Sequence, residues 1–165
     1  MSHRPFVQWP HPVLRTPAAR VDEITDDIRA IWDEMIVAMD TMPGYGLAAP
    51  QLGIGLALAV VDASAKRGQA IKMANPQILH ASVEFRDHDE ASPNLPNVGA
   101  KISRPRAVTV RYMNEQGMWD RKELVGLWAT SVQHQIDHLA GKMYFDRLSK
   151  VKRDMLIRKA QKLNR

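Results

Sequence analysis

Residues 133–141 read Gln-His-Gln-Ile-Asp-His-Leu-Ala-Gly, within a region, 126–140, whose pattern predicts a mostly buried helix. His134 and His138 are four residues apart, so a helix places them on one face. Two imidazoles at this spacing can bind one metal ion, as in helical HExxH sites. Gln135 stands where that motif has its catalytic glutamate. Taken alone, the spacing is explained equally well by two ordinary helix histidines.

The segments on either side predict a mixture of helices and strands. Prolines in 4–20 indicate an extended arm, and 25–41 predict an amphipathic helix capped by Thr25. Strands are predicted at 56–61, 107–113 and 119–125, with a turn at 114–117. A final helix is predicted over 149–164, with four apolar residues facing inward: Val151, Met155, Ala160 and Leu163. Strands clustered between helices favour an α+β fold with antiparallel sheets around the histidine helix, in one domain spanning 1–165.

The composition is that of an ordinary globular protein. The chain has 165 residues, of which 45% are apolar and 25% charged, and it contains no cysteine. Disulfides, cysteine nucleophiles and thiolate ligands are therefore excluded. The N-terminus lacks the apolar core of a secretory signal, and no apolar run approaches the roughly 20 residues that span a bilayer. We expect a cytoplasmic protein without a membrane partner.

Positive charge is concentrated at the C-terminus. The net charge is +5 overall and +7 over residues 147–165, so the remainder of the chain carries −2. Such a segment could contact nucleic acid or the ribosome, or it could simply be a solvated helix face. No feature indicates binding to a specific DNA sequence.

Three motifs together resemble those of the peptide deformylase family. Residues 44–51, GYGLAAPQ, match its GxGLAAPQ motif at every fixed position, and residues 133–141 resemble its metal helix, QHExDHLxG. Residues 90–96, EASPNLP, stand where the family has EGCLSxP. Arg104-Pro105 and residues 10–15 also resemble the family, in the same order and spacing.

The resemblance implies an α+β deformylase fold and a defined chemistry. Such enzymes remove the formyl group from N-terminal formylmethionine of new proteins, using a metal, usually iron(II), held by two His and one Cys. The glutamate of HExxH is the general base and acid. A glutamine and the backbone N–H after the cysteine hold the oxyanion. The corresponding positions here are His134, His138 and Ser92 for the metal, Gln135 for the base and Gln51 for the oxyanion.

Three of these positions depart from the family. Gln135 has no usable basicity, and Ser92 offers a neutral hydroxyl where iron(II) or zinc would meet a thiolate. Pro93 has no backbone N–H to donate to an oxyanion. We therefore expect one divalent metal, Fe²⁺ or Zn²⁺, to be bound weakly or not at all.

Other positions are expected to support the site. Those expected to contact a peptide or its methionine side chain are Gly44, Gly46, Leu47, Leu95 and Ile136. Those expected to lie behind the site are Asp137, which would orient a histidine, and Glu90 and Arg104, which would pair. The histidines without motif support, His3, His11, His80 and His88, are expected on the surface.

Three functions remain open from the sequence. The first is a catalytically impaired deformylase relative that binds an N-terminal methionine or formylmethionine peptide. The second is a working hydrolase with altered ligands, acting slowly as a deformylase or on another acyl amide. The third is a ribosome-associated module that uses the basic C-terminal helix.

Overall fold

The first helix, α1, spans Asp26–Thr41 and begins where its sequence predicts. The Thr25 hydroxyl accepts a hydrogen bond from the backbone N–H of Ile28 at 3.2 Å, which caps the helix. Trp32, Met35 and Met39 form its fully buried stripe. The computed structural model describes residues 2–165, and within that range no helix is both long enough and apolar enough to cross a bilayer.

All strand pairings are antiparallel, in two separate sheets. A five-stranded sheet has the order β1-β2-β3-β6-β7, and β4 and β5 form a hairpin. The strands are β1 Gly46–Ala48, β2 Leu58–Val61, β3 Ile71–Ala81, β4 Phe85–Ala91, β5 Gly99–Pro105, β6 Ala107–Met113 and β7 Trp119–Val125. The strands predicted near 56–61, 107–113 and 119–125 are therefore present, whereas β1, β3, β4 and β5 were not predicted.

The second helix, α2, spans Leu127–Leu139 and packs against β1 and β2. Ala129 and Val132 lie in a core cluster with Val110 and Tyr112 of β6. A third helix, α3, spans Lys150–Leu163, and short 3-10 turns occupy Pro12–Arg15, Ala49–Leu52 and Tyr144–Arg147. The predicted α+β fold, with antiparallel sheets around the histidine helix and helices near both ends, is confirmed.

The predicted inward face of α3 is wrong at Val151, Met155 and Leu163, and only Ala160 is buried as predicted. Val151, Met155 and Leu163 are 69%, 63% and 53% exposed, whereas Leu156 and Ala160 are buried. The helix contains two apolar stripes at helical spacing, and only the second packs on the core cluster that includes Leu14, Leu95 and Phe145. Periodicity alone does not distinguish the two stripes, because both repeat every four residues.

Candidate active site

A cleft of about 460 Å³ lies between the loop before β1, the end of β4 and one face of α2. Its lining comes from residues 42–46, from 88–93, from one face of the first three turns of α2, and from Gln51. The three motifs of the sequence, far apart along the chain, thus meet around one cavity. Its volume is in the range of small-ligand and peptide side-chain pockets.

The imidazoles of His134 and His138 are adjacent at the cleft. Their Nε2 atoms are 3.2 Å apart, as the spacing of four residues on α2 predicts. His134 lines the cleft, while His138 is only 1% exposed. Burial, and the neighbouring His134, hold the pKa of His138 well below its ordinary value, so its imidazole is neutral.

Glu90 orients His134 from behind. The Nδ1 atom of His134 lies 2.7 Å from the Glu90 carboxylate. Arg104, which is fully buried, donates two further hydrogen bonds to Glu90 at 2.6 and 2.9 Å. Burial alone would raise the pKa of Glu90, yet the hydrogen bonds from His134 and Arg104 outweigh it and keep that pKa below its usual value. The expected pairing of Glu90 with Arg104 is present. The same carboxylate also fixes the orientation of the His134 ring.

Asp137 does not orient a histidine, contrary to expectation. Its carboxylate accepts one hydrogen bond from Arg104 at 2.9 Å and two from Arg147 at 2.7 and 2.9 Å. Its partners lie on β5 and in the 3-10 turn that follows α2. It extends a chain of alternating charges, Glu90–Arg104–Asp137–Arg147, that ties α2 to β4 and β5.

Asn94 is the site residue that motif comparison did not single out. It is fully buried, and its side-chain oxygen accepts hydrogen bonds from Gln51 Nε2 at 2.8 Å and from Ser92 Oγ at 3.0 Å. Its side-chain nitrogen donates to the backbone oxygens of Val7 at 2.6 Å and Gln51 at 3.0 Å. Its position, where the family motif has serine, was the available signal. The hydroxyl hydrogen of the candidate third ligand, Ser92, and one of the two amide hydrogens of the candidate oxyanion donor, Gln51, are therefore directed at this one amide oxygen.

Gln135 lies in the wall of the cleft opposite Gly46. It is 4% exposed, and its amide oxygen is buried with no hydrogen bond partner among residues 2–165. A Cβ atom added to Gly46 would overlap Ser131 Oγ and lie 2.6 Å from Gln135 Nε2, so only glycine fits there. Gln135 is thus a buried amide in the site, and its side-chain oxygen accepts no hydrogen bond from the described residues.

Several predicted contacts fall elsewhere. Leu47 lies in the core beside α1, and Leu95 lies in the core cluster under α3, so neither lines the cleft. Ile136 packs against the core between α2 and the large sheet. His88, expected on the surface, lines the cleft instead. A matched motif therefore does not give every residue a place in the cavity, because some of its side chains pack into the core instead.

The residues around the two histidines do not fit a three-ligand metal centre. Within residues 2–165, no group of three or more His, Cys, Asp or Glu is arranged to hold a metal. Ser92, the third position, donates its hydrogen to Asn94 and accepts from the Asn94 N–H at 3.2 Å. Freeing both Nε2 atoms for a metal would also place the proton of His138 on Nδ1, which is buried and unpartnered. What remains is two imidazole nitrogens without an anionic ligand.

Comparison with known proteins gives a consistent result. The family described as polypeptide deformylase matches residues 3–154. The peptide deformylase of Rhizobium meliloti (strain 1021) is 39% identical over 165 residues, covering 98% of this chain and 94% of the relative. The peptide deformylase of Acidobacterium capsulatum is 39% identical over 168 residues, covering 100% and 98%.

Solved structures agree over the same length. The peptide deformylase of Ehrlichia chaffeensis in complex with actinonin superimposes with a TM-score of 0.92 at 30% identity, covering 100% of this chain and 99% of that one. That of Legionella pneumophila superimposes with a TM-score of 0.92 at 31% identity, covering 99% and 96%.

Proposed function

This chain belongs to the polypeptide deformylase family, and we propose that it retains the family's peptide cleft but has lost most or all of the deformylase activity. The observation that carries the proposal is the hydrogen-bonding of Asn94. Its amide oxygen accepts from Ser92 and from Gln51, the residues at the third-ligand and oxyanion positions. The Ser92 hydroxyl and one of the two N–H groups of the Gln51 amide are then directed at Asn94 rather than at a reacting group.

The two remaining losses act on different steps. Gln135 cannot take a proton from water near pH 7, and loss of a positioned general base costs roughly 10²–10⁴ in rate. Pro93 has no N–H at the second oxyanion position, and loss of one such donor costs about 10²–10³. Together they suggest roughly 10⁴–10⁷, although such effects do not simply add. This range applies before any weakening of Fe²⁺ or Zn²⁺ binding is counted.

We expect formate release from a formyl-Met-Ala-Ser peptide at a rate at least about 10⁴ below that of an active relative, because base and oxyanion donor are both absent. The measurement compares this protein with the Rhizobium meliloti relative, each supplied with iron(II), zinc or nickel, and determines metal content on the same samples.

The His138→Ala variant is the matched control, since any formate that it releases comes from a contaminating enzyme. Turnover within about a hundredfold of the relative would contradict the proposal and favour the second reading, a working hydrolase with altered ligands.

The exposed face of α3 supports a second candidate function, association with the ribosome. This face combines three exposed apolar side chains with bases that make no ion pair among residues 2–165; these residues are Val151, Met155, Leu163, Lys152, Arg158 and Lys159. Arg153 differs from them because it is half-buried and pairs with Asp146 at 3.3 Å. A basic, partly apolar helix surface suits an anionic partner such as ribosomal RNA.

Reversing Lys152, Arg158 and Lys159 to glutamate should abolish co-sedimentation with ribosomes, because the charge that attracts phosphate is removed. Binding of the unmodified protein should also weaken as salt rises. The control reverses Lys66, Arg121 and Lys122, which are exposed elsewhere and change the net charge equally. If both variants lose binding to the same extent, the attraction depends on overall charge and α3 is not the docking surface.

A further inference from the structure

We propose that two copies of this chain associate through the free edge of β7, with the two strands antiparallel and the pairing centred on Lys122. β7 is the last strand of the five-stranded sheet, and within residues 2–165 its only strand neighbour is β6. An edge strand presents unpaired backbone N–H and C=O groups, which can pair with another chain. The cleft borders β1, at the opposite edge of the same sheet, so this surface is separate from the candidate active site.

Hydrogen bonds at the two ends of the β6–β7 ladder show which residues face this edge. The backbone N–H of Asn114 donates to the carbonyl of Met118 at 2.8 Å, and that of Gly126 donates to the carbonyl of Arg106 at 2.9 Å. Hydrogen-bonded pairs alternate along an antiparallel ladder, so the even-numbered residues of β7 bond to β6. The residues whose backbone groups face the free edge are therefore Trp119, Arg121, Glu123 and Val125.

The charges along β7 are complementary to themselves. Charged residues on an edge strand usually prevent pairing with another chain. A pairing centred on Lys122, however, sets Arg121 of each copy opposite Glu123 of the other, and both residues are exposed and make no ion pair in the described part of the chain. Within its own sheet Arg121 lies opposite Arg111, an unfavourable pairing of like charges. The second copy would supply the carboxylate that Arg121 lacks.

An apolar pair lies at each end of the same arrangement. Trp119 and Val125 are 38% and 53% exposed, and the pairing sets each opposite the other in the second copy. Aromatic and β-branched side chains form favourable cross-strand pairs. The guanidinium of Arg111 lies 3.8 Å from the centroid of the Trp119 ring, a cation–π contact that holds the indole beside the edge.

The opposite face of the strand has one unfavourable pairing, that of Lys122 with its own copy. Asp120 of the other copy is its diagonal neighbour on that face, within reach of a long side chain. The Asp120 carboxylate now accepts a hydrogen bond from the backbone N–H of Arg121 at 2.7 Å. Pairing would give that N–H a backbone acceptor and leave the carboxylate for Lys122.

The register is selected by the same charges. Centring the pairing on Arg121 or on Glu123 also joins backbone groups that face the edge. Each of those registers sets the central residue opposite its own copy, which brings like charges together, and removes both Arg121–Glu123 pairs. The pairing centred on Lys122 is therefore the favoured one.

The experiment is analytical ultracentrifugation of the full chain. One strand pair is a small interface, so we expect a dimer with a Kd of about 10–100 μM. Arg121→Glu or Glu123→Arg alone should weaken it at least about tenfold, because either change sets like charges opposite each other at two positions. Exchanging both residues, Arg121→Glu with Glu123→Arg, should restore the dimer.

Mixing the two single variants is the decisive measurement. In a mixed dimer every contact between positions 121 and 123 again joins opposite charges, so the variants should associate with each other although each alone is monomeric. Lys66→Glu and Glu23→Arg are the matched controls, since both residues are exposed, lie outside β7 and undergo the same changes of charge. Alone or mixed, they should leave the Kd unchanged.

Three outcomes overturn the inference. The first is an unmodified chain that remains monomeric at about 500 μM, well above the expected Kd. The second is a dimer that Arg121→Glu or Glu123→Arg does not weaken. The third is a failure of the mixed variants to associate, which would place any self-association on another surface or in another register.

Discussion

Changing Gln135 to glutamate alone is expected to leave formate release at the background of the His138→Ala variant. The new carboxylate would restore a base, but Ser92 would still provide no anionic ligand and Pro93 no N–H. Gln51 would also remain hydrogen-bonded to Asn94 at 2.8 Å. The new base would have no activated water to deprotonate, and the N–H absent at Pro93 would still be missing.

Activity should return only when these changes are combined. Adding Ser92→Cys and Pro93→Leu to Gln135→Glu restores the ligand charge and the N–H, and we expect some recovery. Adding Asn94→Ser should increase it further, because Gln51 is then released from the amide oxygen. We expect the fourfold variant to exceed the His138→Ala background by about 10² or more.

The measurement is formate release with iron(II), zinc and nickel, with Asn94→Ser alone as the control, which should remain inactive. If Gln135→Glu by itself restores turnover, the roles assigned to Ser92, Pro93 and Asn94 are wrong. If the threefold variant recovers full activity without Asn94→Ser, the hydrogen bond between Asn94 and Gln51 does not limit activity. The roles assigned to Ser92 and Pro93 would not be affected by that result.

Replacing Arg104 with methionine should lower the free energy of unfolding by about 3–5 kcal/mol, the usual result of removing one partner from a buried ion pair. Arg104 is fully buried between Glu90 and Asp137, both nearly buried themselves. Without the guanidinium, Glu90 would keep only His134 as a partner, and Asp137 only Arg147. Urea unfolding followed by circular dichroism measures the change.

Arg106→Met is the matched control, since Arg106 lies two residues further on and pairs with Glu84 in solvent, with side chains 57% and 71% exposed. Its loss should cost at most about 1 kcal/mol. Equal stabilities of the two variants would mean that the buried network contributes nothing beyond an ordinary surface pair.

The elements that the sequence predicted correctly are those in which apolar residues repeat with a single helical or strand period. α1 has a single apolar stripe and a capping threonine, and β6 and β7 alternate on either side of a turn. α3 was misjudged because it has two stripes, and the neighbour that covers only one of them lies elsewhere in the chain. The exposed, charged strands β4 and β5 were missed because little of their apolar surface is buried.

The same limit applies to the site. The motifs predicted that His134, Gln135, Ser92 and Gly46 belong to one site, and all four line the cleft. The positions on a helix and in a glycine-rich loop are predictable because the backbone geometry of both is restricted. The motifs did not predict that Asn94 would hold both Ser92 and Gln51, or that Asp137 would bind arginines rather than a histidine. Hydrogen-bond partners depend on side-chain orientations set by packing between distant segments.

Under the proposed loss of deformylase activity, Asn94 also limits how that activity could be regained by single substitutions. Because one amide joins Val7, Gln51 and Ser92, replacing it first leaves several buried groups without partners, and replacing its neighbours first leaves it in place. Each single substitution at these positions is therefore expected either to destabilise the fold or to leave the activity unchanged. Under that proposal, regaining activity requires Asn94 and its hydrogen-bond partners to change together.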